Sequence, residues 1–133
     1  MLGSLSAVAI YGGLLGLLAL AVSINVTRLR AKHKALFGDA ESDDLRRAIR
    51  TQANAMEYVP ICLLMLLITA STGYAAWVIH VLGIVLVVGR LAHVYGMLVQ
   101  TETDQPLGRA IGALFTWITL GATSVLALIG GLS

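Results

Sequence analysis

The stretch "RAIRTQANAMEYVPICLLMLLITA", residues 47–70, decides how this chain is read. Its second half is apolar without interruption, yet its first half carries arginine, asparagine and glutamate toward the same run. A helix needs about 20 mostly apolar residues to cross a bilayer. A charge at bilayer depth costs about 2.5–3.5 kcal/mol even on the lenient insertion scale. Groups that expensive must face protein or water and find partners there.

The rest of the chain fits a membrane reading. Of its 133 residues 58% are hydrophobic and 12% charged, with a mean hydropathy of +0.87, against roughly 45–50% and about 25% in an ordinary globular domain. At this length residues 1–133 form one transmembrane domain, with nothing to spare for a separate soluble one. The net charge of +2 points to no nucleic-acid partner, because the basic residues cluster where they set membrane orientation. No metal is expected. The single cysteine, Cys62, excludes an intrachain disulfide and reads as a buried, inert thiol.

Four spans are predicted, at about residues 5–27, 43–69, 75–99 and 107–132, giving an all-α integral membrane four-helix bundle. The first lacks a basic region before it and is expected to be retained rather than cleaved. Its connection to the second, residues 28–42, leads through "FGD" and "ESDD", a turn and a helix start. Arg28 to Arg47 include six Lys or Arg residues, whereas "ASTGY" between the second and third spans has none. The positive-inside rule therefore puts the 28–42 loop and the 100–106 loop in the cytoplasm and both termini outside. Gly12 and Gly16 in the first span, and Gly108, Gly112 and Gly121 in the fourth, read as close helix packing within one subunit.

In the second span Arg50, Asn54, Glu57 and Tyr58 are spaced i, i+4, i+7 and i+8, one side of a helix. The third span has Arg90 with His93 at i+3 and Met97 at i+7. Measured from the cytoplasmic ends, Glu57 and Arg90 both lie about 15 Å deep at about 1.5 Å per residue, so they are the expected ion pair. Asn54 is then level with His93, and Arg50 with Met97. A purely structural ladder is the competing reading, but this one rises from the deep pair to the basic loop. Its groups suit a small anionic or zwitterionic ligand with carboxylates and an amine.

The pattern Arg50, Gln52, Asn54, Glu57, Tyr58, Pro60 resembles the signature of the MAPEG family, the membrane-associated proteins of eicosanoid and glutathione metabolism. "RLR" at residues 28–30, "GRLAH" with Arg90 and His93, and the four spans support the resemblance. It covers the whole chain, most closely the small bacterial inner-membrane members. It implies a homotrimer embedded in membrane lipid, with glutathione held between neighbouring subunits near the cytoplasmic side. Carried over by position, the binding residues are Arg28, Arg50, Gln52, Asn54, Glu57, Tyr58, Arg90 and His93.

Two departures bear on chemistry. Where eicosanoid-forming relatives have a tyrosine late in the third span, this chain has Met97, and Tyr95 is offset too far to replace it. The tract expected to hold a thiolate-stabilising arginine reads "QTETDQPLGR", leaving Arg109 as the first candidate, ahead of Arg28 and His93. Lowering a thiol pKa from about 8.5 needs such a cation. His93 can instead be a structural histidine bonded to Asn54, while His80 is expected to pack between helices. Lys32, His33 and Lys34 read as a solvated or lipid-facing cluster. The expected activity is glutathione transfer to, or reduction of, a lipophilic small-molecule substrate. A non-catalytic glutathione or lipid-headgroup pocket is one alternative, and a small four-span exporter, which would want a carboxylate in the first span, is another.

Overall fold

A computed structural model describes all residues, 1–133. Four helices follow one another: α1 (Leu2–His33), α2 (Asp43–Ser71), α3 (Ala76–Leu98) and α4 (Leu107–Leu132). Each is long and apolar enough to cross a membrane. The second, third and fourth match the expected spans within two residues at either end, but α1 runs six residues further than expected, through Arg28 to His33. Basic residues in its last turn complement the helix dipole there, and the helix stops where Lys34 turns left-handed at φ 52°.

The 34–42 connection is held from within. Arg30 Nη1 donates to the carbonyls of Gly38 at 2.8 Å and of Ala35 and Leu36 at 3.4 Å, satisfying backbone acceptors of a connection that has no regular ladder of its own. Arg46, one turn into α2, pairs with Asp39 at 2.8 Å and Asp43 at 2.9 Å. Asp44 takes Lys32 at 3.4 Å and His33 at 2.9 Å, so that part of the basic cluster is tied to the start of α2.

The helices do not form a square. α2 and α3 touch each other and both outer helices, whereas α1 and α4 lie apart on opposite sides of this central pair. Three apolar layers stack along the α1/α2/α3 junction: Tyr11, Leu66 and Ile79 far from the basic loop, Leu15, Cys62 and Leu86 midway, and Val26, Leu29 and Leu45 beside it. His80 accepts or donates at 2.8 Å with the Tyr11 hydroxyl, joining α3 to α1 as a packing residue. Leu17, Leu20, Ile24, Leu91 and Ile118 are exposed apolar side chains on the outer surface, as expected where hydrocarbon is the solvent.

α4 is carried on small residues instead. A side-chain carbon at Gly96 would strike the backbone of Gly108 and Arg109, one at Gly108 would lie 2.6 Å from the Ala92 carbonyl, and one at Gly112 would lie 2.5 Å from the Gly89 carbonyl. The backbones of α3 and α4 are therefore in direct contact at the loop end. Gln100 helps to start α4: its Oε1 accepts from the Gly108 N–H at 2.8 Å, a partner for one of the orphan donors of a helix start. Packing within the chain accounts for Gly108 and Gly112 but not for Gly12, Gly16 or Gly121, which have nothing within 4 Å.

Candidate functional site

α2 and α4 meet far from the basic loop, where Thr69 Oγ1 donates to the Thr123 carbonyl at 3.1 Å. Toward the loop end they part, leaving a wedge-shaped cleft with α3 as its floor. A cavity of about 490 Å³ is lined by Arg50, Asn54, Glu57 and Tyr58 from α2, by Arg90 and His93 from α3, and by Arg109, Ala113, Leu114, Thr116 and Trp117 from α4. It shares Arg50, Asn54, His93 and Arg109 with a second space of about 440 Å³ nearer the loops, which Asp43, Arg46, Arg47, Met97 and Asp104 also line. Each space is of the size that small-molecule sites occupy.

Arg90 is the deepest group, only 1% exposed. Its Nη2 donates to Asn54 Oδ1 at 2.8 Å and to His93 Nδ1 at 3.4 Å, its Nη1 reaches Thr116 Oγ1 at 3.4 Å, and its Nε has no partner. No carboxylate pairs with it. The expected Glu57–Arg90 ion pair is thus absent, and the physical reason is reach. The arginine stem spans a helical turn, so its head sits beside His93 and Asn54, nearer the polar end, while Glu57 is exposed on the cleft wall. His93, 3% exposed, bonds to Arg90 and not to Asn54.

The remaining cleft groups are free. Arg50, Glu57, Tyr58 and Arg109 make no side-chain hydrogen bond or ion pair within the chain, and Arg50, Glu57 and Arg109 are exposed to the cleft. Arg46 and Arg47 are engaged, the first with Asp39 and Asp43, the second with the Met97 and Thr101 carbonyls at 3.5 Å. The position of Arg109 follows from glycine: its backbone N–H rests on Gly96, so the guanidinium leaves α4 at the cleft mouth. Three cations against one deep carboxylate make the inner cleft electropositive, an arrangement that receives anions.

Two residues of the sequence pattern lie elsewhere. Gln52 donates to Ser23 Oγ on α1 at 3.0 Å, because two residues from Arg50 is the opposite side of a helix. Arg28 lines a separate groove of about 260 Å³ with Asn25, Lys32 and Asp44 and donates to Asn25 at 2.9 Å. Tyr95 faces an apolar groove with Leu91 and Leu107, away from the cleft, while Met97 lines the outer space of the cleft. Sequence reasoning did not single out Thr116 or Trp117. The spacing of Thr116, Thr119 and Thr123, all buried, was the available signal, a threonine stripe along one face of α4.

A family profile described as the MAPEG family matches residues 8–129. The inner membrane protein YecN of Escherichia coli (strain K12) is 41% identical over 88 residues, which are 66% of this chain and 67% of that protein. The protein of the same name from Escherichia coli O6:H1 matches to the same extent.

Proposed function

The chain belongs to the MAPEG family, and from that premise we propose that it is an inner-membrane protein that takes glutathione into the cleft between α2 and α4 from the cytoplasmic side. The observation that carries this reading is the convergence of two partnerless arginines, Arg50 and Arg109, and a partnerless carboxylate, Glu57, on one cavity. Glutathione offers the complementary set: two carboxylates, one ammonium and one thiol.

In this reading Arg50 and Asn54 hold a carboxylate end, Arg forking onto it as planar guanidinium does. Glu57 accepts from the γ-glutamyl ammonium, and Tyr58 and His93 add hydrogen bonds. Arg109 stabilises the thiolate. Glutathione would supply the nucleophilic sulfur, which bonds to an electrophilic carbon while the leaving group departs with its electron pair. Leu114 and Trp117 form the apolar wall against which a lipophilic substrate from the bilayer would lie. Arg28 is outside the cleft of its own subunit, so its share in binding is assigned across a boundary between copies in a homotrimer. The inner-membrane assignment draws on the name of the Escherichia coli relative, and the orientation, with the basic loop cytoplasmic, on the positive-inside rule.

A second reading rests on Met97 and Asp104 at the cleft mouth: a pocket that holds glutathione or a lipid headgroup without catalysis. Glutathione binding to the purified protein in nanodiscs, followed by thiolate absorbance and turnover of an activated aryl chloride, separates the two. Absence of binding at millimolar glutathione sinks both glutathione readings; binding without thiolate near neutral pH leaves the non-catalytic one.

A further inference from the structure

Arginine is always protonated and only donates hydrogen bonds, so every neighbour within bonding distance of Arg90 must turn an acceptor toward it. For Asn54 this settles which end of the amide faces inward: Oδ1 accepts at 2.8 Å, and the NH₂ group is left for the cleft. For His93 the nitrogen facing Arg90 is Nδ1, at 3.4 Å. A nitrogen that accepts carries no proton, which puts the ring proton on Nε2. That nitrogen has no protein partner and is not sealed from the cavity, since Arg90 Nε is the one fully buried side-chain polar atom without a bond. Thr116 cannot vary the pattern, because its hydroxyl donates to the Gly112 carbonyl at 2.7 Å and takes Arg90 Nη1 at 3.4 Å.

We propose that Arg90 is a positioning residue that sets the hydrogen-bond direction across the cleft floor, so that Asn54 and His93 offer donors alone and the deep group of the occupant is an acceptor-only anion, a carboxylate or a thiolate. This deepens the glutathione reading and rests on the cleft being a binding site. It also gives His93 a defined role: with Nδ1 engaged by Arg90 and Nε2 already protonated, it is a donor to the bound anion and not the base that removes a thiol proton. That proton leaves to water. Arg90 does this indirectly, by holding Asn54 and His93 in register with the floor.

The test uses the full chain in lipid nanodiscs. With ¹⁵N-histidine labelling and no glutathione present, the three histidines give separate ring-nitrogen signals, His93 being identified by its loss in His93→Gln. Wild type is expected to show His93 with Nδ1 unprotonated and Nε2 protonated. Arg90→Lys, still a donor-only cation, is expected to retain that tautomer, and Arg90→Gln, which offers an acceptor as well, to lose it. Asn54→Asp leaves Arg90 in place and turns a second acceptor oxygen toward the cleft, so it should bind glutathione about tenfold more weakly than Asn54→Ala, the cost of opposing an acceptor to an anion. A wild-type His93 with its proton on Nδ1, or an Asn54→Asp variant that binds as well as Asn54→Ala, overturns the proposal. If wild type shows the expected tautomer and binds no glutathione, the donor-only floor stands and the identity of its occupant is what has failed.

Discussion

Arg90 donates to the carboxamide of Asn54 at 2.8 Å, while Glu57, less than one turn further along α2 and lining the same cavity, makes neither a hydrogen bond nor an ion pair with it. A cation at bilayer depth has thereby been given a neutral partner, and the nearby carboxylate stays free. Such a site is poorly compensated when empty and receptive to an anion.

The first expectation concerns stability. Taking one ion out of water costs several kcal/mol even after relaxation, a cost that is lifted when a well-packed apolar side chain of similar volume takes its place. Arg90→Met is therefore expected to unfold no earlier than wild type in detergent titration while losing glutathione binding. Early unfolding of this variant would show that the Asn54 and Thr116 bonds outweigh the cost of the buried charge.

Glu57 should behave in the opposite way. It makes no ion pair to lose, so Glu57→Gln is expected to leave unfolding unchanged and to weaken glutathione by about tenfold to a hundredfold, the worth of a charge-assisted hydrogen bond. An analogue lacking the γ-glutamyl amine should bind both proteins alike, as judged by calorimetry. Discrimination by Glu57→Gln between the two ligands would place the ammonium elsewhere.

Arg50 and Arg109 are expected to separate binding from activation. Arg50→Ala should raise the dissociation constant for glutathione, whereas Arg109→Ala should chiefly lower the fraction ionised to thiolate at neutral pH, seen as lost ultraviolet absorbance with binding retained. Arg109→Lys restores a cation and should recover part of that signal. Equal thiolate in wild type and Arg109→Ala would remove Arg109 from the chemistry.

Close backbone contact between α3 and α4 makes its own forecast. Gly96→Ala and Gly112→Ala insert a carbon where backbone already lies, at a cost of about 1–3 kcal/mol for overpacking. Gly121→Ala, with nothing within 4 Å, is the matched control and should unfold like wild type. Gly96→Ala should in addition impair thiolate formation, since it displaces the backbone that carries Arg109.

Outside the membrane, Asp39 provides a pH dependence. The Arg46 guanidinium bonded to it holds its carboxyl below the usual carboxylate value. A depressed folded pKa contributes stability above the ordinary value, about 3.9, and loses it as the pH falls through the folded one. Limited proteolysis of the 34–42 connection should therefore be faster in Asp39→Asn than in wild type at neutral pH. The difference should shrink below about pH 4; a gap unchanged there would assign the loop's order to Arg30 alone.

The four helices were legible because a spanning helix is written locally: about 20 apolar residues in a row, broken by turn residues and charges. Arg50, Asn54, Glu57 and Tyr58 were legible as one face for the same reason, since helical periodicity needs no partner. Depth was legible too, and Arg90 does meet this stripe. Which member it meets was not, because counting residues locates Cα atoms while a guanidinium ends a full turn away from its own, and the neighbour in reach depends on how α2 and α3 are rotated. The same limit hid Gln52's bond to Ser23, which a shared motif had grouped with the cleft, and the seat of Arg109 on Gly96. Local sequence determined the helices and their polar faces; the pairing of side chains across helices, and so the free carboxylate, the amide held by Arg90 and the donor-lined floor, was decided by tertiary packing, where azimuth and close approach are set by residues far apart in the chain.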